Sequence, residues 1–149
     1  MSRAPILDTH YRGYRFRSRL EARWAVFLDA LLWAWVYEPE GYALASGWYL
    51  PDFWVVPSGH APIYLEIKWA RAEPGELDRC RDLCIATGRT VLIAEGAIPL
   101  GFDDLHLSGF LAPRPDTLQR VDLRADPAEI SRALRAARGA RFEFEEKDH

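Results

Sequence analysis

Two neighbouring stretches, Tyr49-Leu50-Pro51-Asp52-Phe53-Trp54 and Ile63-Tyr64-Leu65-Glu66-Ile67-Lys68-Trp69, decide how this chain of 149 residues is read. The second alternates strictly. Ile63, Leu65, Ile67 and Trp69 face one way and Tyr64, Glu66 and Lys68 the other, which is the period-2 pattern of a β-strand. Pro57-Ser58-Gly59 marks a turn between the two stretches, so Asp52 on the preceding strand comes alongside Glu66. Two carboxylates from adjacent strands form an oxygen-rich site suited to Mg²⁺, which prefers oxygen ligands and keeps several waters. A lysine beside such an ion can orient or help deprotonate an attacking water and offset charge growing on a phosphate. Burial would lower the lysine pKa and the carboxylates would raise it, so spacing alone leaves the sign open. Charges inside an apolar strand need a partner or a task, and a purely structural Glu66–Lys68 contact on the sheet face is the competing reading.

Outward from this pair the chain reads as mixed α/β. On the N-terminal side, Leu20, Trp24, Phe27, Leu28, Leu31 and Trp35 fall at helical spacing and form one apolar stripe. Ser18 followed by Glu21 is a capping-box pattern, which starts the helix near Arg19 and runs it to about Trp33. Trp35 to Pro39 looks extended. Tyr42-Ala43-Leu44, Trp48 to Val56 and Ile63 to Trp69 are then three strands joined by short turns in an antiparallel meander. After Pro74, Glu76 to Thr87 forms a second helix closed by Gly88. Arg89 to Ala94 is a buried strand, and its link through that helix implies parallel pairing with the strand of Glu66. Residues 96–120 are rich in Pro and Gly, with a short edge strand expected at Leu105 to Leu111. Asp126-Pro127-Ala128-Glu129 starts a last helix that runs to about Arg138. The order is α-β-β-β-α-β, followed by a C-terminal extension.

Composition bounds the function classes. The chain is 49% apolar and 28% charged, which fits one globular domain over 1–149 and argues against disorder. No apolar run approaches the roughly 20 residues that span a bilayer, and Met-Ser-Arg-Ala-Pro lacks the apolar core of a secretory signal; a cytoplasmic location is expected. Two cysteines, Cys80 and Cys84, supply neither a disulfide framework nor a complete zinc site. The four histidines carry no triad logic, and no phosphate-binding glycine loop is present.

The formal net charge of −3 hides local asymmetry. Up to Trp24 the chain holds Arg3, Arg12, Arg15, Arg17, Arg19 and Arg23 against Asp8 and Glu21. Arg132, Arg135 and Arg138 lie along one side of the last helix. These patches can meet a phosphate backbone, or they can be solvated surface. Of 19 basic residues only Lys68 and Lys147 are lysine, a bias of the kind a GC-rich genome produces. Lys147 falls in a charged tail; Lys68 stands mid-strand.

The helix with Glu21 and the segments Tyr49–Trp54 and Glu66-Ile67-Lys68, with the helix and strand that follow, resemble the PD-(D/E)xK nuclease superfamily. The likeness spans about residues 16–95 and extends to small nucleases of bacterial phages and mobile elements. It implies an αβββαβ restriction-endonuclease-like core with a mixed central sheet flanked by helices. It further implies that Asp52, Glu66 and the Ile67 carbonyl hold Mg²⁺, that Mn²⁺ substitutes, that Lys68 is the catalytic lysine, and that Glu21 points at the metal centre. Glu21 has a second reading, as the N3 residue of its helix cap. The expected activity is hydrolysis of phosphodiester bonds in nucleic acid, DNA first, with Arg12, Arg15, Arg17, Arg19, Arg23, Arg132, Arg135 and Arg138 on the backbone and a homodimer by analogy. The alternative is a non-catalytic nucleic-acid-binding or assembly module that keeps the fold.

Overall fold

The computed structural model describes residues 8–142; Arg3, the closing acidic run and Lys147 lie outside them. Ser18 caps the first helix, α1 (Arg19–Ala30), its hydroxyl accepting the Glu21 N–H at 3.1 Å. The helix stops three residues earlier than the apolar stripe suggests. Leu32 turns into the left-handed region at φ 63°, and Trp33 N–H closes the end on the Leu28 carbonyl at 3.0 Å. No Gly or Pro announces this turn, so the Leu31-Leu32-Trp33 run reads as more helix.

Six strands form the central sheet. They are β3 (Ala34–Tyr37), β6 (Phe53–Val56), β7 (Ile63–Lys68), β8 (Val91–Glu95), β9 (Leu107–Phe110) and β10 (Gln119–Val121), in the spatial order β10-β9-β8-β7-β6-β3. Only β7 and β8 run parallel, joined through α2 (Pro74–Thr87); every other pairing is antiparallel. The meander is therefore real, but its first member is the extended Trp35–Tyr37 segment. Tyr42–Leu44 (β4) pairs only with Gly47–Tyr49 (β5), in a separate hairpin, and the expected continuous strand from Trp48 to Val56 breaks at Leu50–Asp52. Pro51 has no N–H to give a ladder, which explains the break. Leu107–Phe110 is an inner strand, because β10 covers its outer side. A further hairpin, β1 (Thr9–Tyr11) with β2 (Tyr14–Phe16), turns at Arg12 (φ 53°) and Gly13 (φ 83°).

The sheet separates two cores. Leu65, Ile67, Leu92 and Ala94 pack with α1 and α3 (Pro127–Gly139), while Tyr64, Val91, Ile93 and Phe110 pack with Cys80, Leu83 and Cys84 of α2. Alternation along β7 thus delivers Glu66 and Lys68 to the α2 side. Helix α2 opens with Pro74 and a capping box, in which Glu76 accepts the Glu73 N–H at 2.8 Å, and ends at Gly88 with φ 70°. Helix α3 is capped by Asp126, which accepts from Ala128 and Glu129. Among the described residues no helix is long and apolar enough to cross a membrane.

Candidate active site

Asp52 and Glu66 meet where β6 gives way. The last rung at this end of the β6–β7 ladder pairs Phe53 with Leu65. One step beyond, Asp52 Oδ2 accepts the Ile67 N–H at 2.8 Å, and Asp52 N–H donates to Glu66 Oε1 at 3.1 Å. A side chain has taken the place of a strand: the Asp52 carboxylate is held by the Ile67 amide and the Glu66 carboxylate by the Asp52 amide. Glu66 is buried, and its Oε2 lies 3.3 Å from Lys68 Nζ. Lys68 also donates to Glu76 Oε2 at 3.0 Å.

Glu21 joins through Tyr37. The Tyr37 hydroxyl donates to Glu21 Oε1 at 2.8 Å and accepts the Arg17 N–H at 3.1 Å. The next residue, Glu38, donates its N–H to the Asp52 carbonyl at 2.7 Å, so β3 fixes the Glu21 carboxylate and the Asp52 backbone together. The capping box of α1 is half-formed: Ser18 caps, while the Glu21 side chain turns to Tyr37. Only the Glu21 N–H takes part in the cap, and its carboxylate is left to Tyr37.

The electrostatics are those of an under-compensated anion. Burial first, then Glu66 and Glu21, hold the Asp52 carboxyl well above its ordinary pKa, against the opposing pull of the Ile67 N–H and Lys68. Burial raises Glu66 too, despite Lys68, the Tyr49 hydroxyl and the Asp52 N–H. Burial also works against the Lys68 ammonium, but Glu66, Glu76 and Asp52 outweigh it, and the lysine is held above its usual value. That settles the sign left open by spacing: Lys68 is a cation here. Burial acts on Glu76 as well, yet the Glu73 N–H and Lys68 draw its carboxyl below the usual value. The Cys80 thiol, deep in the α2 core beside Tyr49, is pushed up to about 12, mainly by burial, and behaves as packing.

Asp52, Glu66 and Glu76 thus act on one ammonium, and Glu21 adds its charge to Asp52 from behind Tyr37. Hard oxygen donors carrying unbalanced negative charge suit a divalent cation such as Mg²⁺, which needs only one or two carboxylates and completes its shell with water and substrate oxygens. Among the described residues no cluster of three His, Cys, Asp or Glu side chains closes on one point. Asp52 and Glu66 are the two carboxylates that come together, and Glu21 stands back on Tyr37.

The arginines divide. Arg12 pairs with Asp29 at 3.0 Å, Arg15 with Asp8 at 2.6 Å and Arg17 with Glu38 at 2.8 Å, each arginine remaining largely exposed. Arg19 is half-buried at the head of α1. Arg23 Nη1 donates to the carbonyls of Ala137, Arg138 and Ala140 at 2.7, 2.7 and 3.2 Å, where it closes the C-terminus of α3. Arg138 spans from α3 to the Pro99 and Leu100 carbonyls. Arg132 and Arg135 lie exposed on the outer face of α3. Sequence reading missed Tyr37, Tyr49 and Glu76; for Glu76 a signal existed, since the capping position places it on the first turn of the helix that follows Lys68. No family model matches the chain, and no curated protein matches it in sequence.

Proposed function

We propose that the chain is a divalent-metal-dependent nuclease that hydrolyses phosphodiester bonds in DNA. The observation that carries this reading is the interlocked Asp52–Glu66 pair with Lys68 beside it, at the point where β6 ends and β7 continues. The succession α1, β3, β6, β7, α2, β8, with the β4–β5 hairpin as an insertion, supports a restriction-endonuclease-like core. Asp52, Glu66 and the Ile67 carbonyl would hold Mg²⁺ or Mn²⁺, whose Lewis acidity would polarise the phosphate and activate water.

The chain's own groups then have separate tasks. Asp52 and Glu66 keep fixed positions because each also bonds to backbone. Lys68 donates as an ammonium to charge that develops on the phosphoryl oxygens, a stabilisation that needs no reorganisation because Glu66 and Glu76 already hold it. Glu21, aimed by Tyr37, adds an acceptor for a water at the edge of the site. Arg12, Arg15 and Arg17 keep largely exposed guanidinium groups in their ion pairs, and such weak surface pairs exchange readily for phosphates. Arg132 and Arg135 extend the basic surface, and Arg23 serves the fold.

The test is cleavage of plasmid and single-stranded DNA with Mg²⁺ or Mn²⁺ by wild type, Asp52→Ala and Lys68→Ala. Loss of cleavage in both variants supports the assignment, and activity retained in both removes it. Salt-sensitive DNA binding without cleavage under any divalent ion would support the binding-module alternative.

A further inference from the structure

A second concavity lies on the face of β6 and β7 that carries Glu66 and Lys68. Tyr64 precedes Glu66 by two residues, so it shares that face about 7 Å back along the strand. Tyr64, Trp54 of β6 and Tyr42 of β4 wall a pocket of about 390 Å³, with Glu40, Thr87 and Arg89 completing it. That size falls in the usual range for small-ligand pockets. The Trp54 and Tyr64 rings meet edge-on, 5.3 Å between centroids at 68°, and Tyr42 stands edge-on to Tyr64 at 6.1 Å and 87°.

These walls are held in advance of any ligand. The Tyr42 hydroxyl bonds the Tyr64 hydroxyl, with the Glu40 carboxylate acting on it, and the Arg89 guanidinium lies over the Trp54 ring at 5.8 Å. Part of this aromatic surface stays open: Tyr42, Trp54 and Arg89 are each only half-buried. The β4–β5 hairpin brings Tyr42 here although it contributes nothing to the central sheet.

A flat ring with apolar faces and polar edges matches such a pocket, and an attached phosphate matches the guanidinium. Stacking on aromatic rings and on Arg planes is how unpaired bases are held. A base within a duplex cannot enter, because its faces are stacked and its edge is paired. We infer that the Tyr42–Trp54–Tyr64–Arg89 pocket is a subsite for one unpaired nucleobase of a single-stranded DNA segment whose neighbouring phosphodiester lies at Asp52 and Glu66. The placement of the phosphodiester rests on the nuclease reading; the base subsite itself does not. The substrate class that follows is single strands, flaps and frayed ends.

Binding of a short fluorescent oligothymidylate and of a blunt hairpin duplex, followed by anisotropy in EDTA, tests the subsite on the full chain. Tyr42→Leu and Arg89→Ala should each weaken oligothymidylate about 5- to 150-fold, the range of one lost base stack, and leave the duplex within about twofold. Tyr42→Phe keeps the ring and loses only the hydroxyl bond to Tyr64, so it should retain most of the affinity that Tyr42→Leu loses, which separates stacking from a folding defect. No affinity of wild type for oligothymidylate, equal losses on both DNAs, or a Tyr42→Phe as weak as Tyr42→Leu would each overturn the inference. The two readings fail differently. If Asp52→Ala abolishes cleavage while the pocket variants bind and cut single strands like wild type, the subsite falls and the nuclease stands. If nothing is cleaved but oligothymidylate binding depends on Tyr42 and Arg89, the nuclease falls and the subsite stands.

Discussion

Asp52→Asn should make the metal-free protein more stable while abolishing its response to divalent ions. The amide oxygen can still accept the Ile67 N–H now bonded to Asp52 Oδ2 at 2.8 Å, so the change removes a charge with little loss of geometry. Burial and the Glu66 and Glu21 charges hold the Asp52 carboxyl well above its ordinary pKa, so its ionised form opposes folding at neutral pH. Removing an uncompensated buried charge of this kind is worth on the order of 1–4 kcal/mol. For a chain of this size that is roughly 2–16 °C in Tm.

The sign with pH follows from linkage. Native Asp52 takes its proton at higher pH than the unfolded chain does, so wild-type stability falls as pH rises from the ordinary carboxylate value through the raised one. The Asp52→Asn variant lacks that slope, although Glu66, shifted the same way, keeps part of it. The gain should therefore be largest near pH 8 and shrink toward pH 5. Mn²⁺ at about a hundred times its dissociation constant adds about 2.7 kcal/mol to a protein that binds it only when folded. Wild type should gain roughly 5–10 °C, whereas the variant gains nothing. Thermal melts in EDTA and in Mn²⁺ at both pH values read all four quantities. A metal-free Asp52→Asn less stable than wild type at pH 8, or an equal Mn²⁺ effect on both proteins, would refute the reasoning.

Glu76→Gln removes one of the two anions that hold Lys68, at 3.0 Å, so kcat for DNA cleavage should fall by about 10-fold with KM little changed, and Glu76→Asp should restore part of it in steady-state assays. Arg23→Ala leaves three carbonyls at the end of α3 without their donor; charge-assisted bonds on a half-buried group place the cost at about 2–4 kcal/mol in a denaturant melt, with DNA affinity unchanged. In Gly109→Ala the new Cβ would lie 2.5 Å from the Val91 carbonyl of β8, and chemical denaturation should show a loss of about 1–3 kcal/mol from overpacking the inner sheet.

Local chemistry was legible wherever one side chain sets one local structure. Ser18, Pro74, Gly88 and Asp126 mark their helix ends, and the alternation of β7 places Glu66 and Lys68 together before any coordinate is known. What the sequence hid depends on partners distant along the chain. Trp48 to Val56 is so rich in β-formers that it reads as one strand, and Pro51 as a mere punctuation within it. Only the pairing shows β5 turning back on β4 while β6 joins the sheet. Arg12-Gly13 is a hairpin turn, but six nearby arginines make charge the louder signal. Arg23 belongs to that basic run by composition, yet a helix more than a hundred residues away supplies its carbonyl partners. Tyr37 is invisible as a site residue because its hydroxyl acts across the bundle on Glu21. Exposure divided the tryptophans in a way periodicity could not: Trp24 and Trp33 are buried, whereas Trp48 at 70% and Trp69 at 45% face solvent.

The hydrogen bond from Ile67 to Asp52 also turns a backbone amide into a spectroscopic indicator. Its proton rests on the very oxygen whose charge the site would govern. Protonation, a captured cation or an amide substitution at Asp52 each withdraws electron density from that acceptor. A single crosspeak in a ¹⁵N-correlated spectrum would report the state of the centre without any probe attached to it.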